Sequence, residues 1–295
     1  MAEFSEALFS IFFIETLLNG LLLGGILALL SLGLNLIFGV IDVVWICYAE
    51  IIMVGMYLIF WLNTDLGLHI IPSMTLGILF AGIVGWATHK IVISKLINAA
   101  PINQLIATGG LLFFFQGAAM IVFGIEFRNM GISLGSLALS EDIYLSWTRL
   151  LSFGISGIIV IILYVFLSRS YLGAAIRAIS QDREIMTLMG VDTKKLYLMT
   201  SAIGGGLAGL AGCLLVLQYD VHPFIGLSFG PITFIICVMG GLGNMVGGFI
   251  AAFVFAELIT IGGYFAEIEW GYVLAFVFFI AMMFLKPEGL FARKS

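Results

Sequence analysis

Charged side chains are scarce in this sequence. They make up 10% of its 295 residues, against 62% hydrophobic residues. An ordinary soluble domain carries about 25% charged and about 45–50% apolar residues. One or two soluble cores cannot enclose that much apolar surface, so a bilayer has to solvate it. Cysteine is rarer still. Cys47, Cys213 and Cys237 lie inside apolar runs, with no C-x-x-C and no ligand-like spacing. That pattern argues against a disulfide framework or a metal centre and leaves three small hydrophobes. Nowhere is there a G-x-x-x-x-G-K-[ST] stretch, so ATP cannot be bound and split here by the P-loop route. Basic residues are missing from the acidic start, Met1–Glu6. The first apolar run is also too long for a signal-peptide core, so no cleavable signal is expected.

What the chain does have is long apolar runs. A bilayer core of about 30 Å needs about 20 apolar residues per helix, and shorter runs are tolerated where protein covers them. The candidate segments are 17–38, 43–62, 70–87, 105–124, 150–167, 196–217, 227–239, 245–262 and 270–285. These predict an all-α, polytopic transmembrane protein of about nine segments, with eight possible. It forms one domain over 1–295. The seventh segment is short and flanked by Pro223, Pro231 and the run Gly240–Asn244. A broken or re-entrant helix is the expectation there, allowed only where protein buries its open backbone groups.

Charge placement orients the chain. Lys90 and Lys95 follow the third segment; Arg169, Arg177, Arg183, Lys194 and Lys195 lie between the fifth and sixth. Lys286, Arg293 and Lys294 follow the ninth. With nine crossings, ten of the twelve basic residues fall on one side, leaving Arg128 and Arg149 on the other among Asp65, Glu126, Glu141, Asp142 and Asp220. The positive-inside rule then predicts an outer N-terminus and a cytoplasmic C-terminus.

The loop over about 169–195 is too polar to insert. Leu172, Ile176, Ile179, Ile185, Leu188 and Met189 nevertheless recur at helical spacing, and Gly190 and Asp192 punctuate its end. A short amphipathic helix on the cytoplasmic face is predicted, either a docking element or a solvated connector.

Several apparent catalytic motifs lack their context. Gly131-Ile132-Ser133-Leu134-Gly135 and Gly226-Leu227-Ser228-Phe229-Gly230 match G-x-S-x-G. That motif needs a strand before the serine and a histidine and acid in reach, and no strand pattern precedes either one. Gly204–Gly209 matches G-x-G-x-x-G but opens an apolar segment, without the βαβ setting a dinucleotide site requires. Gly205 and Gly209, continued by Gly212, instead form a small-residue face for close helix packing. Glu50 and Glu257, with the neutral Asn19, Asn35 and Gln116, are the polar groups within apolar segments. Such groups are costly and mark polar pathways or bond to neighbouring backbone. Two carboxylates without an intramembrane Lys or Arg make a thin ion relay, so an ion-coupled carrier is the second reading and an intramembrane enzyme a distant third.

From Asn19 through Val40 the sequence resembles the opening helix of branched-chain amino acid ABC transporter permeases, and Glu50–Tyr57 resembles the stretch that follows. Arg177–Glu184 with Leu188–Val191 resembles the family's cytoplasmic coupling segment. Glu184 and Gly190 keep the E-A-A-x-x-x-G spacing, although Ile185 and Met186 replace the alanines. Gly206–Gly212, Gly240–Asn244 and Lys286–Phe291 complete a match running from residue 19 to 291.

The resemblance implies an inner-membrane importer. Its expected components are a second homologous permease, two cytoplasmic ATP-binding cassette ATPases and a periplasmic or lipid-anchored solute-binding protein, with membrane lipid around them. No catalytic residue, metal, cofactor or nucleic acid is expected for this chain; ATP belongs to the partners. Arg177, Asp182, Arg183, Glu184, Gly190 and Asp192 are the candidate ATPase-coupling residues. Asn35, Trp45, Tyr48, Glu50, Gln116 and Glu257 are candidates for the substrate pathway. One departure bears on the cargo: where the family commonly reads N-F-A-H-G, this chain has Trp45-Ile46-Cys47-Tyr48-Ala49. Branched-chain or other hydrophobic amino acids are the first expectation, with urea, short amides or aromatic acids as rivals.

Overall fold

A computed structural model describes residues 11–132, 135–140 and 143–291. Met1–Glu6, Ser133, Glu141, Asp142, Arg293 and Lys294, which the sequence reading used, lie outside the described residues. The side chains of Arg183 and Glu184 also lie outside them.

The first helix, α1 (Ile11–Ile41), is apolar on every side and therefore belongs inside. Buried residues make up 89% of its most apolar window, whereas α4 (Pro101–Phe123) reaches only 17%. At about 1.5 Å per residue, α1 is about 46 Å long and exceeds the bilayer core. The second helix, α2 (Tyr48–Phe60), is nearly as enclosed and continues through a π-helical turn, Trp61–Asp65. Its predicted segment began at 43. It starts five residues later because Asp42 adopts a left-handed φ of 56°, breaking the chain direction between the two helices.

Around these two run α3 (Ile70–Ile91), α4, α5 (Trp147–Arg169), α8 (Thr193–Leu215), α9 (Ile225–Gly240), α10 (Met245–Phe265) and α11 (Ile268–Leu285). Among the described residues, six helices, α1, α3, α4, α5, α8 and α10, are long and apolar enough to cross a bilayer. The proline-interrupted α9 has 16 residues, about 24 Å, in agreement with its predicted shortness. The only strands among the described residues, β1 (Ser136–Ser140) and β2 (Ile143–Ser146), form a small antiparallel hairpin that the sequence reading missed. It leaves the protein an all-α polytopic bundle.

Small residues set the closest contacts. A Cβ on Gly205 would stand 2.6 Å from the Ala81 carbonyl oxygen and 3.0 Å from the Gly85 Cα, so α8 and α3 touch backbone to backbone. Gly209 continues that seam against Ile78 and Ala81, while Gly212 turns to α2, where a Cβ would lie 3.0 Å from the Ile52 carbonyl oxygen.

At the other end of α9, the turn before α10 closes onto α1 and the chain's last described residues. The Asn35 side-chain oxygen accepts from the Gly243 amide at 3.2 Å. Asn244 Nδ2 donates to the Phe291 carbonyl at 2.6 Å, and the Leu290 amide donates to Met239 at 2.8 Å. Gly289, at φ 95°, lies so close to the Gly241 amide that a side chain would clash.

Candidate functional site

Glu50 sits in the first turn of α2 and is fully buried. Gln116 on α4 donates its side-chain amide to Glu50 Oε1 at 3.0 Å. Oε2 is buried without a hydrogen-bond partner. An uncompensated buried carboxylate is costly, so this position is one where a proton, a cation or a passing polar group would be stabilised. The third wall is Gly226 in the first turn of α9. Its missing side chain makes the room: a Cβ there would lie 2.5 to 2.7 Å from the carboxylate oxygens.

Beside this carboxylate, an apolar cavity of about 290 Å³ opens between α1, α2, α4 and α9. Trp45, Tyr48, Leu112, Leu227 and Phe234 line it, and Gly226 belongs to both the cavity and the Glu50 contact. Trp45 Nε1 donates to Cys47 Sγ at 2.9 Å. Tyr48 reaches across to donate its hydroxyl to the Gly204 carbonyl at 3.3 Å, through space left by Gly33. Trp45, Tyr48, Glu50 and Gln116 are thus brought together.

Asn35 and Glu257 are not part of that group. Asn35 serves the α1–α9–α10 corner described above, with its Nδ2 buried and unpartnered. Glu257 faces α1, where a Cβ on Gly20 would come within 2.7 Å of its buried, unpartnered Oε2.

In the 169–195 loop, the predicted single amphipathic helix is two. The first, α6 (Tyr171–Ile179), starts at Ser170, whose hydroxyl accepts from the Gly173 amide at 2.9 Å. Gly173, Ile176 and Ile179 are buried against the bundle, and Arg177 donates to the Leu167 carbonyl. After a break at Ser180–Gln181, Asp182 caps α7 (Arg183–Leu188) by accepting from the Ile185 amide at 3.0 Å. Here Met186 packs against the bundle while the other apolar residues point outward: Leu188 is 86% and the following Met189 75% exposed, with Ile185 also exposed. Gly190 then adopts φ 80°, a left-handed turn that a side chain would strain. Asp192 caps α8 through the Lys195 amide at 3.1 Å, which holds its carboxyl below the usual aspartate range. Arg183 and Glu184 belong to α7 by their backbone.

The described residues contain no group of three or more His, Cys, Asp or Glu placed to hold a metal. The loop Tyr219–Phe224, not among the candidate residues of the sequence, borders a second cavity with its tyrosine, aspartate and histidine. The local density of polar and aromatic residues between two apolar segments was the available signal.

A bundle of long apolar helices with an enclosed polar contact, an apolar cavity and an exposed helix pair at one end is the architecture of a multi-pass membrane protein. The family described as branched-chain amino acid transport system / permease component matches residues 16–283, and the chain belongs to it. Among similar proteins is the high-affinity branched-chain amino acid transport system permease protein BraD of Pseudomonas aeruginosa, 28% identical over 95% of this chain and 96% of that one. LivH of Escherichia coli K12, of the same description, is 25% identical over 96% of each. LivM of that organism is 22% identical over 89% of this chain and 67% of its own. The fold is similar to PsaBC from Streptococcus pneumoniae, solved in complex with Fab, at a TM-score of 0.50 and 14% identity over 97% of this chain and 96% of that one. The chain is a permease component of a transporter, not a catalyst.

Proposed function

We propose that this chain is one of two homologous permease subunits of an ATP-driven importer in the inner membrane, and that it conducts apolar amino acids inward. Two cytoplasmic ATPases supply the energy, and a binding protein delivers the cargo from outside. The observation that carries this reading is the inner-face pair α6–α7. Its first helix is anchored to the bundle through Gly173, Ile176 and Ile179, and its second presents Ile185, Leu188 and Met189 outward. A six-residue helix is too short to hold itself together in water, so its outward apolar face calls for a partner surface. Closure of an ATPase pair on that surface would push through α6 and α8 into the bundle and shift it between inward- and outward-open states.

The cargo class follows from the relatives' descriptions and agrees with the apolar cavity beside Glu50. Arg177, Asp182, Arg183, Glu184, Gly190 and Asp192 serve the ATPase contact, with Asp182, Gly190 and Asp192 shaping the backbone. Trp45, Tyr48, Glu50 and Gln116 serve the passage. The test is purification of a tagged chain from its native membrane. Recovery of a P-loop ATPase and a second permease in stoichiometric amounts is expected; recovery of the chain alone, active in transport, would sink the proposal.

A further inference from the structure

The outer side of the bundle holds a cavity that the importer reading has not used. Its volume is about 320 Å³, and it lies beneath the loop joining α8 to α9, between the outer turns of α1, α9, α10 and α11. Two chemistries meet in it. The base is hydrocarbon, supplied by Leu23 and Leu27 of α1, Ile232 of α9 and Ile259 of α10. The rim carries Asp220, His222 and Ser228 together with the rings of Tyr219 and Tyr272.

Two of the rim groups, Asp220 and His222, are half used. Asp220 Oδ1 accepts from Asn129 Nδ2 at 2.6 Å, and Oδ2 meets no donor among the described residues. No lysine or arginine lines the cavity. His222 Nδ1 accepts from the Phe224 amide at 3.3 Å, so its proton resides on Nε2, a donor that meets no acceptor among the described residues. Burial holds the imidazole below its ordinary value, against the opposing pull of Asp220. The frame is fixed before any ligand arrives. Arg128 and Val221 exchange both backbone hydrogen bonds, at 2.9 and 2.8 Å, and the Phe127 ring packs tilted against His222 with centroids 4.5 Å apart.

An anionic group flanked by aromatic faces suits an ammonium ion. Neutral donors alongside suit a carboxylate, and the hydrocarbon base suits an aliphatic chain. The volume is that of a small-ligand pocket. We propose that this outer cavity is a subsite for one free α-amino acid with an apolar side chain. Its ammonium bonds to Asp220, its carboxylate to Ser228 and His222 Nε2, and its side chain rests on Leu23, Leu27 and Ile259. The inference rests on the importer reading for its role as the point of entry. The cavity's chemistry stands independently of that role.

The test uses the full transporter in proteoliposomes and a diazirine analogue of leucine, with adducts mapped by mass spectrometry. Adducts are expected within 219–232 or at Tyr272, displaced by L-leucine. The carbon skeleton without ammonium, 4-methylpentanoate, should compete at least about tenfold more weakly, since a charge-assisted hydrogen bond is lost. Asp220→Asn should reduce labelling by a similar factor, and Asp220→Glu should restore part of it. Adducts confined to other regions, equal competition by 4-methylpentanoate, or undiminished labelling of Asp220→Asn would overturn the proposal. Leucine uptake by the same vesicles separates the two readings. Uptake without adducts at this cavity removes the subsite and spares the importer, whereas adducts without uptake sustain the subsite and count against the importer.

Discussion

The carboxylate of Glu50 and the α-carbon of Gly226 are so close that a methyl group on Gly226 would lie 2.5 Å from Glu50 Oε1. The first turn of α2 and the first turn of α9 therefore meet at a point where one partner is a full-length acid and the other has no side chain. Gln116 completes the contact from α4. Three helices that border the apolar cavity are thus joined through a single carboxylate.

Gly226→Ala should push that carboxylate off Gln116. Overpacking of this kind costs about 1–3 kcal/mol, which thermal unfolding in detergent would register. Uptake should fall with it. Glu50→Gln keeps the shape and removes the buried charge, so it should match or exceed wild-type stability. If Gly226→Ala is neutral in both assays, the contact is not tight in the membrane.

The α3–α8 seam gives a paired test within three adjacent glycines. Gly205→Ala would place a methyl 2.6 Å from the Ala81 carbonyl and should destabilise by about 1–3 kcal/mol. Gly206 has nothing within 4 Å of a Cβ, so Gly206→Ala should stabilise by about 0.5–1 kcal/mol through helix propensity. Unfolding midpoints of opposite sign check both; two equal shifts would contradict the packing.

Much of this was legible in the sequence. The apolar runs matched the long helices within a few residues at each end, because a bilayer imposes length and composition together. Gly205 and Gly209 were readable as packing positions because their spacing alone defines a helix face. The break at Asp42 was not read, although aspartate is one of the few side chains that tolerate its left-handed φ. The Glu50–Gly226 contact joins residues 176 positions apart, and no local pattern encodes it. Asn35 and Glu257 looked equivalent to Glu50 as polar residues in apolar runs, yet Asn35 ties a corner and Glu257 faces Gly20. Exposure of Leu188 and Met189 was likewise hidden, because helical periodicity runs straight through the break at Ser180–Gln181 that turns α7 away from α6.

Topology is open to direct labelling. Cysteines at the exposed positions Ser180 and Glu288 should react only from the cytoplasmic side, and one at Glu126 only from outside. External reaction at Glu288 would mean that α9 or α11 does not cross.

The Asp192 cap should respond to pH in one direction. Its carboxyl is held low by the Lys195 amide, so the cap is fully present above the ordinary aspartate value and is lost as pH falls through the lower, folded value. The protection factor of the Lys195 amide, its exchange relative to the intrinsic rate at each pH, should accordingly be high and unchanged from pH 8 to 5. Asp192→Ala should lower it throughout that range, and Asp192→Asn should keep it high. Equal protection in the alanine variant would show that the side chain does not cap α8.

The proposed coupling through α6–α7 is tested by two changes of different physics. Glu184→Lys reverses a charge, and Gly190→Trp forces a bulky residue into a left-handed turn. Both should leave the chain inserted and folded while lowering uptake and substrate-stimulated ATP hydrolysis together. Normal uptake in both would reduce α6–α7 to a connector.

The most direct measurement is leucine uptake into proteoliposomes holding this chain with its co-purified partners, energised in turn by internal ATP and by an imposed proton or sodium gradient. Uptake that requires ATP, depends on the binding protein and persists when an ionophore collapses both gradients is the expected result. Uptake driven by a gradient without ATP, or abolished by the ionophore while ATP remains high, would contradict the importer and make Glu50 the first candidate for an ion site.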